Sequence, residues 1–289
     1  MKVLDRGTSP HSLLRLAPVV GSVQRIRVRT QSSSAVKDAG KKTPRPPVPG
    51  VQLVLAAEVL AVAASGEARF RFTLESVALL VQPGTAPQAV KQLHTQLEPL
   101  PGLTGEGRVA HDGRPNGFTL KLPKDLAPEL RGPLDQVTAT LSGLGRIFPA
   151  EPVGLGARWT PALPGKGPLA GAHTTLELKA RDDASLGLRL TMESTSKPQP
   201  VPEHLRASEQ RETLTTYVRG QGGCAFAVDR LWPTRFELEV DTRLALRAEG
   251  TPPRHMDSFA HLELRVRELS FALPQAPQAP RAASGTHRR

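Results

Sequence analysis

Apolar residues recur at every second position through much of this chain. Ile26 and Val28 alternate with Arg25, Arg27 and Arg29, while Phe70, Phe72 and Leu74 alternate with Arg69, Arg71 and Glu75. Leu186, Leu188, Leu190 and Met192 form a third run. Phe236, Leu238, Val240, Leu244 and Leu246 stand opposite Glu237, Glu239, Asp241, Arg243 and Arg247, and Leu262, Leu264 and Val266 stand opposite Glu263, Arg265 and Arg267. A period of two puts the apolar side chains on one side of a strand and the charges on the other, the pattern of antiparallel sheet wet on one face. Parallel, doubly wound sheet buries both faces and shows continuous apolar runs, so it is disfavoured. The predicted class is mainly β (α+β): a curved antiparallel sheet or sandwich with two or three short helices.

Two segments carry a helical period instead. Residues 86–97 place Val90, Leu93 and Leu97 on one stripe with Pro87 in the first turn, and residues 133–141 align Leu134, Val137 and Leu141 ahead of Gly143. Residues 205–214 are a weaker helical candidate. Residues 31–50 (QSSSAVKDAGKKTPRPPVPG) are rich in Ser, Lys and Pro and have little to bury, which predicts a flexible loop. The last residues, PQAPQAPRAASGTHRR, are similar material.

The runs also repeat. Val59-Leu60 and Phe70–Ser76 are answered by Glu177-Leu178 and Leu188–Ser194. Gly105-Glu106-Gly107, Asp112 and Phe118–Leu122 are answered by Gly220-Gln221-Gly222, Asp229 and Phe236–Val240. An offset this long reads as a duplicated half-domain rather than a solenoid. The organisation expected is a flexible N-terminus (1–13), one β-rich domain of two repeats (14–147 and 148–271) and a disordered basic tail (272–289). The turns Ala63–Gly66 and Asp182–Ser185 take equivalent hairpin positions.

The net charge of +11 suggests a polyanion partner until it is located. Residues 31–50 carry +3, the tail +3 and the first dozen residues +1, leaving about +4 for the folded part. With one tyrosine and two tryptophans the chain is poor in stacking platforms, which argues against nucleic acid as a partner. No run of eighteen apolar residues predicts a transmembrane segment, and the start shows no apolar signal-peptide core. A single cysteine, Cys224, excludes an internal disulfide framework, and its alternating neighbours Phe226 and Val228 make it a core position.

No phosphate-binding loop, dinucleotide fingerprint, nucleophile elbow or H-E-x-x-H motif occurs. Gly105-x-Gly107 and Gly220-x-Gly222 read as strand entries or bulges, since neither opens a helix. His255, Asp257 and His261 share one strand face and have the donor types of a metal site, but the opposite face carries the core leucines, so they point to solvent. His94 and His111 have no ligand role. The recurring Glu75-Ser76 and Glu193-Ser194 read as solvated strand ends rather than an acid/base pair. No catalytic residue, cofactor or metal site is predicted.

Between the repeats runs Phe148-Pro149-Ala150-Glu151-Pro152-Val153-Gly154-Leu155-Gly156-Ala157-Arg158-Trp159, a loop entering a strand with Trp159 as its anchor. With Gly220, Gly222, Asp229 and Pro233 downstream, it resembles an uncharacterised family of exported bacterial β-rich proteins and lipoproteins that share a P-V-G-x-G-x-x-W turn between two repeats. The resemblance covers most of residues 14–271. It implies a structural role for Pro152, Gly154, Gly156, Trp159, Gly220, Gly222 and Asp229, a place in the cell envelope or periplasm, and no named active site. Two function classes follow: a non-enzymatic envelope-type binding protein holding an apolar or lipidic ligand or a protein partner on a concave sheet, and a hydrolase-type enzyme with a loop-built site. A nucleic-acid binder working through its basic ends is a third, weaker class.

Overall fold

The alternating runs become strands because each can bury one face while the ladder satisfies every backbone donor and acceptor. The computed structural model describes residues 1–121, 148–161, 173–201, 212–248 and 254–269. The first half contains β1 (Lys2–Asp5), β2 (Thr8–Ser12), β3 (Val23–Asp38), β4 (Lys41–Pro44), β5 (Gly50–Val62), β6 (Ala68–Leu80), α1 (Pro87–Leu97), β7 (Thr104–Val109) and β8 (Pro115–Leu120). The second contains β9 (Val153–Leu155), β10 (Arg158–Thr160), β11 (His173–Arg181), β12 (Ser185–Thr195), β13 (Gln199–Pro200), β14 (Glu212–Ala227), β15 (Arg235–Ala248) and β16 (Arg254–Glu268). The 133–141 helix, residues 205–211 and the tail lie outside the described residues, while 212–214 belong to β14. Among the described residues α1 is the one helix. It has Ala86 as N-cap and Pro87 in its first turn, and its Leu93 and Leu97, with the following Leu100, pack into the core.

Fourteen strands make one sheet in the order β1-β10-β11-β12-β14-β15-β16-β3-β5-β6-β7-β8, with β4 beside β3 and β13 beside β14, and β2 pairs with β9 apart from it. The pairing is antiparallel throughout, and the sheet is not closed, with β1 and β8 at its edges. β16 joins the last strands of the chain to the first by pairing Met256–Glu268 with Asp38–Ile26.

The sheet is curved, and three short hydrogen-bonded links show how strongly. From β14 to β7 there are six inter-strand steps, which in a flat sheet would span about 29 Å. Yet the consecutive amides of Leu16 and Ala17 donate to His111 O beyond β7 (2.7 Å) and Val228 O beyond β14 (2.6 Å), and Phe148 N reaches Asp112 O at 3.3 Å. The inner face therefore wraps one core. Ile26, Val28, Leu55, Val59, Phe70 and Phe72 meet Leu176, Leu178, Leu186, Phe226 and Phe236 in a single cluster, with Trp159 fully buried among them. Phe70 meets Trp232 edge-on at 5.7 Å and Phe148 meets Phe226 at 5.4 Å.

The structure corrects two expectations from the sequence. Residues 1–13 are not a flexible end: β1 pairs with β10, β2 pairs with β9, and Arg6 forms an ion pair with Glu151 at 2.6 Å. Residues 31–50 are not a loop throughout: β3 continues through the serines to Asp38 and turns into β4, and only 45–49 connect to β5 without strand. The physical reason is the same in both. A ladder bonds through the backbone, so a strand with a backbone partner needs no apolar alternation of its own.

Candidate functional site

The two faces of the sheet offer different chemistry. On the inner face, the core fills the end of the sheet that carries the β5–β6, β7–β8, β11–β12 and β14–β15 turns. Farther along the same face its cover thins. Leu262, opposite Val240, is 37% exposed, and Leu244, opposite Ser258, is 36% exposed. Leu246 and its cross-strand neighbours Leu214 and Met256 are half-buried beside them. Met192, Val218 and Val240 form a small separate apolar cluster between this patch and the core. The result is an aliphatic wall continuous with the core but open to water.

The outer face carries the charges, and register aligns them in rows. Glu193 of β12 faces Arg219 of β14, which faces Asp241 of β15, which faces His261 of β16, which faces Ser33 of β3. One step along the strands the row reads Thr195, Tyr217, Arg243, Phe259 and Ala35. The chain after β3 folds across these rows as a strap, with Lys42, Pro44, Arg45 and Pro47 lining the hollow beneath it, whose volume is about 700 Å³. Arg45 N donates to Ser34 O at 2.9 Å, and the Lys42 ammonium stands 4.7 Å from the centre of the Phe259 ring. The Arg243 guanidinium lies 5.3 Å from the Tyr217 ring centre and also donates to Asp257 at 2.9 Å.

Several of these groups are tied to one another. His261 Nδ1 is 2.9 Å from Asp241 Oδ1, and Nε2 is 3.6 Å from Glu263 Oε1. The bond to Asp241 holds the imidazole above its ordinary pKa, against burial, which works the other way. Burial by itself would raise the Asp257 carboxyl, but hydrogen bonds from Arg247 and Arg243 outweigh it and keep the group below the ordinary carboxylate value. The thiol of Cys224 is pushed up to about 12 by burial, so it sits protonated in the core.

The raised histidine has a pH signature. The bond to Asp241 stabilises the fold fully below the unfolded-chain value of about 6.5 and is lost as pH rises through the higher folded value. An NMR titration is expected to place the His261 midpoint above that of an unperturbed histidine. Asp241→Asn should return the midpoint toward about 6.5 and flatten the fall in stability above neutrality. An unchanged midpoint in that variant would remove Asp241 as the cause.

The residues singled out in the sequence do not converge. Pro152, Gly154, Gly156 and Trp159 lie around β9 and β10, where Gly154 passes too close to the Thr8 carbonyl for any side chain and Gly156 takes a φ of +83°. Gly220 and Gly222 lie within β14 opposite Met192 and Leu190, much as Gly105 and Gly107 in β7 lie opposite Phe72 and Phe70. Gly220 and Gly222 sit well inside β14, whereas Gly105 is the second residue of β7 and a register shift follows Gly107. The rings of Phe72 and Phe70 occupy the space a Cβ would need at Gly105 and Gly107. Asp229 pairs with the adjacent Arg230 at 3.1 Å, in the β14–β15 turn.

The histidines and repeated carboxylates are likewise scattered. His94 is exposed on α1, and the ring of His111 bonds Ser65 O across the neighbouring turn at 2.8 Å. Glu75 is in an ion pair with Arg25, whereas Glu193 belongs to the outer row. His255, Asp257 and His261 do share the outer face, but Asp257 is claimed by two arginines and His261 by Asp241. Reading the sequence alone missed Tyr217, Arg219, Lys42 and Arg45. Tyr217 and Arg219 hold the outer phase of an unremarked strand, and the other two lay in the segment read as a loop.

No protein-family model matches the chain, and no curated protein matches it. Among solved structures it is similar to lipovitellin, in a structure concerned with lipid–protein interactions, at 12% identity and a TM-score of 0.47. That match takes in 90% of this chain and 26% of the other, so the chain spans about a quarter of lipovitellin. It is also similar to an outer membrane channel from Pseudomonas putida F1 over 88% of this chain and 97% of that one, at 8% identity and a TM-score of 0.20. Both scores fall below the level at which a likeness bears on function.

Proposed function

We propose that this is a non-enzymatic binding protein of the cell-envelope type that holds an apolar or lipidic ligand against the inner face of its sheet. The observation that supports this reading is the open aliphatic wall: Leu244 and Leu262 project from the face that elsewhere forms the core, yet each keeps over a third of its surface in water. Leaving such side chains wet forgoes about 1 kcal/mol or more each, which a ligand of matching shape recovers on binding. Among the described residues no helix is long and apolar enough to cross a membrane. Placement in the envelope is part of the proposal and rests on the resemblance of the Pro152–Trp159 turn. The internal repeat belongs to it as well: β5, β6, β7 and β8 form one antiparallel meander, and β11, β12, β14 and β15 another in the same order.

Two measurements test the reading. Native mass spectrometry of protein purified from its own organism is expected to show a co-purifying apolar molecule, identifiable after extraction. With purified protein, the neutral probe N-phenyl-1-naphthylamine is expected to brighten on binding. The double variant Leu244→Asp/Leu262→Asp should weaken that binding roughly tenfold or more while leaving the melting temperature within a few degrees, because both side chains are already partly in water. Full probe binding by that variant would overturn the assignment.

A further inference from the structure

The hollow on the outer face is separate from the aliphatic wall and of opposite character. Its lining cations are Lys42, Arg45, Arg219, Arg243 and, when protonated, His261; its anions are Glu193 and Asp241. Some of this charge is already spent. Arg243 is held by Asp257, and His261 and Asp241 are held by each other. Arg219 stands in register between Glu193 and Asp241 but makes no ion pair within 4.0 Å among the described residues. What remains is Lys42, Arg45 and Arg219 facing Glu193 and, when His261 is neutral, Asp241, a cationic surplus in either case.

The hollow is also built to be held open. Two of its cations are carried on the strap, which contains Pro44, Pro46, Pro47 and Pro49 within six residues, a stiff stretch that loses little freedom when a ligand arrives. The strap is anchored at both ends, by the β3–β4 pairing and by the start of β5. Tyr217 and Phe259 add apolar area to the floor. At about 700 Å³ the space is far larger than an inorganic anion and within the range that encloses an organic molecule of moderate size.

We infer that this hollow binds a phosphomonoester carried on an organic body, with Arg219 and Lys42 contacting the phosphate and the Tyr217–Phe259 floor contacting the body. Arginine suits the phosphate because its planar fork donates two parallel hydrogen bonds, and a charge-assisted bond of this kind is stronger than a neutral one. Glu193 faces the same space and disfavours a fully polyanionic ligand, so an extended nucleic-acid backbone fits it less well than a single phosphate.

The phosphomonoester could belong to a soluble molecule or to a lipid headgroup, and calorimetric titration of the full chain at low salt separates the two. The probes are inorganic phosphate, glucose 6-phosphate, glucose and dihexanoyl phosphatidate below its micelle concentration. At least one of the two organic phosphomonoesters is expected to bind more tightly than inorganic phosphate, while glucose does not bind; the tighter of the two names the source. Arg219→Ala and Lys42→Ala are each expected to weaken that probe by about tenfold, and added salt should weaken it in the native chain. Both side chains are exposed, so the variants are expected to keep the native melting temperature. N-phenyl-1-naphthylamine binding should be unchanged in both, which keeps this inference separate from that of the inner face. Failure of both organic probes to bind below about 5 mM, or equal binding by native protein and both variants, would overturn it.

Discussion

Replacing Trp159 by alanine is expected to lower the free energy of unfolding by about 3–5 kcal/mol, at the upper end of what truncating one core side chain costs. Trp159 lies in the three-residue strand β10, with Val3 of β1 on one side and Leu176 of β11 on the other, and it has no solvent exposure. So short a strand gains little from its own hydrogen bonds. The indole is what pins the edge of the sheet to the core, and its loss leaves a cavity that the neighbouring ladder can close only by moving β1 and β10 together. Urea denaturation followed by circular dichroism measures the change, and Trp159→Phe should recover part of it. A loss below about 1 kcal/mol for the alanine variant would mean that β1 and β10 are not anchored through this side chain.

Gln24→Leu is expected to cost about 2–5 kcal/mol although it replaces a polar side chain in the core by an apolar one of similar size. Gln24 is buried and bridges the main chain of Trp232: its Nε2 donates to Trp232 O and its Oε1 accepts from Trp232 N, both at 2.9 Å. The bridge ties the start of β3 to the β14–β15 turn, far along the chain. Leucine removes both bonds and strands a buried donor and a buried acceptor, a penalty larger than the apolar area it adds. The same denaturation experiment checks it. A neutral or stabilising outcome would show that water replaces the amide or that the Trp232 turn is free to shift.

Gln24 also shows where a sequence pattern misleads. It occupies the apolar phase of the run that contains Ile26 and Val28, and periodicity alone cannot tell an interruption by solvent from a buried amide with partners. Its partner is the backbone of a residue two hundred positions away, and no local signal encodes that. The segment Ser32–Asp38 failed for a related reason. Its serines suggest a loop, but they pair with β16, and Ala35–Asp38 beyond them lie between β16 and β4, where the backbone supplies the cohesion. Lys42 and Arg45 were accordingly counted as charge on a flexible segment, when they roof a hollow.

Other elements were legible because their physics is local. Phe70-x-Phe72-x-Leu74 could hardly be anything but a strand with one buried face, and all three are buried. Pro87 and the stripe Val90, Leu93 and Leu97 specified α1 to within a residue. Cys224 was readable as core from its neighbours Phe226 and Val228. The glycines of β7 were legible as a strand entry or bulge and no further. That their backbones lie under the rings of Phe70 and Phe72 is a property of the pairing, not of either strand.

By itself, then, the amino-acid sequence determined that the alternating runs are extended, which side of each faces the core, and that the sheet is antiparallel, since alternation follows from the two-residue period of a single strand. Only the tertiary structure decided that β16 lies against β3, that the sheet rolls until the turns after β7 and β14 share one two-residue link, and that Glu193, Arg219, Asp241 and His261 stand in one row. Strand order, curvature and register arise from hydrogen bonds between distant backbones, which look alike whatever the side chains. The outer hollow is assembled from five strands and a strap, and it exists only once those pairings are made.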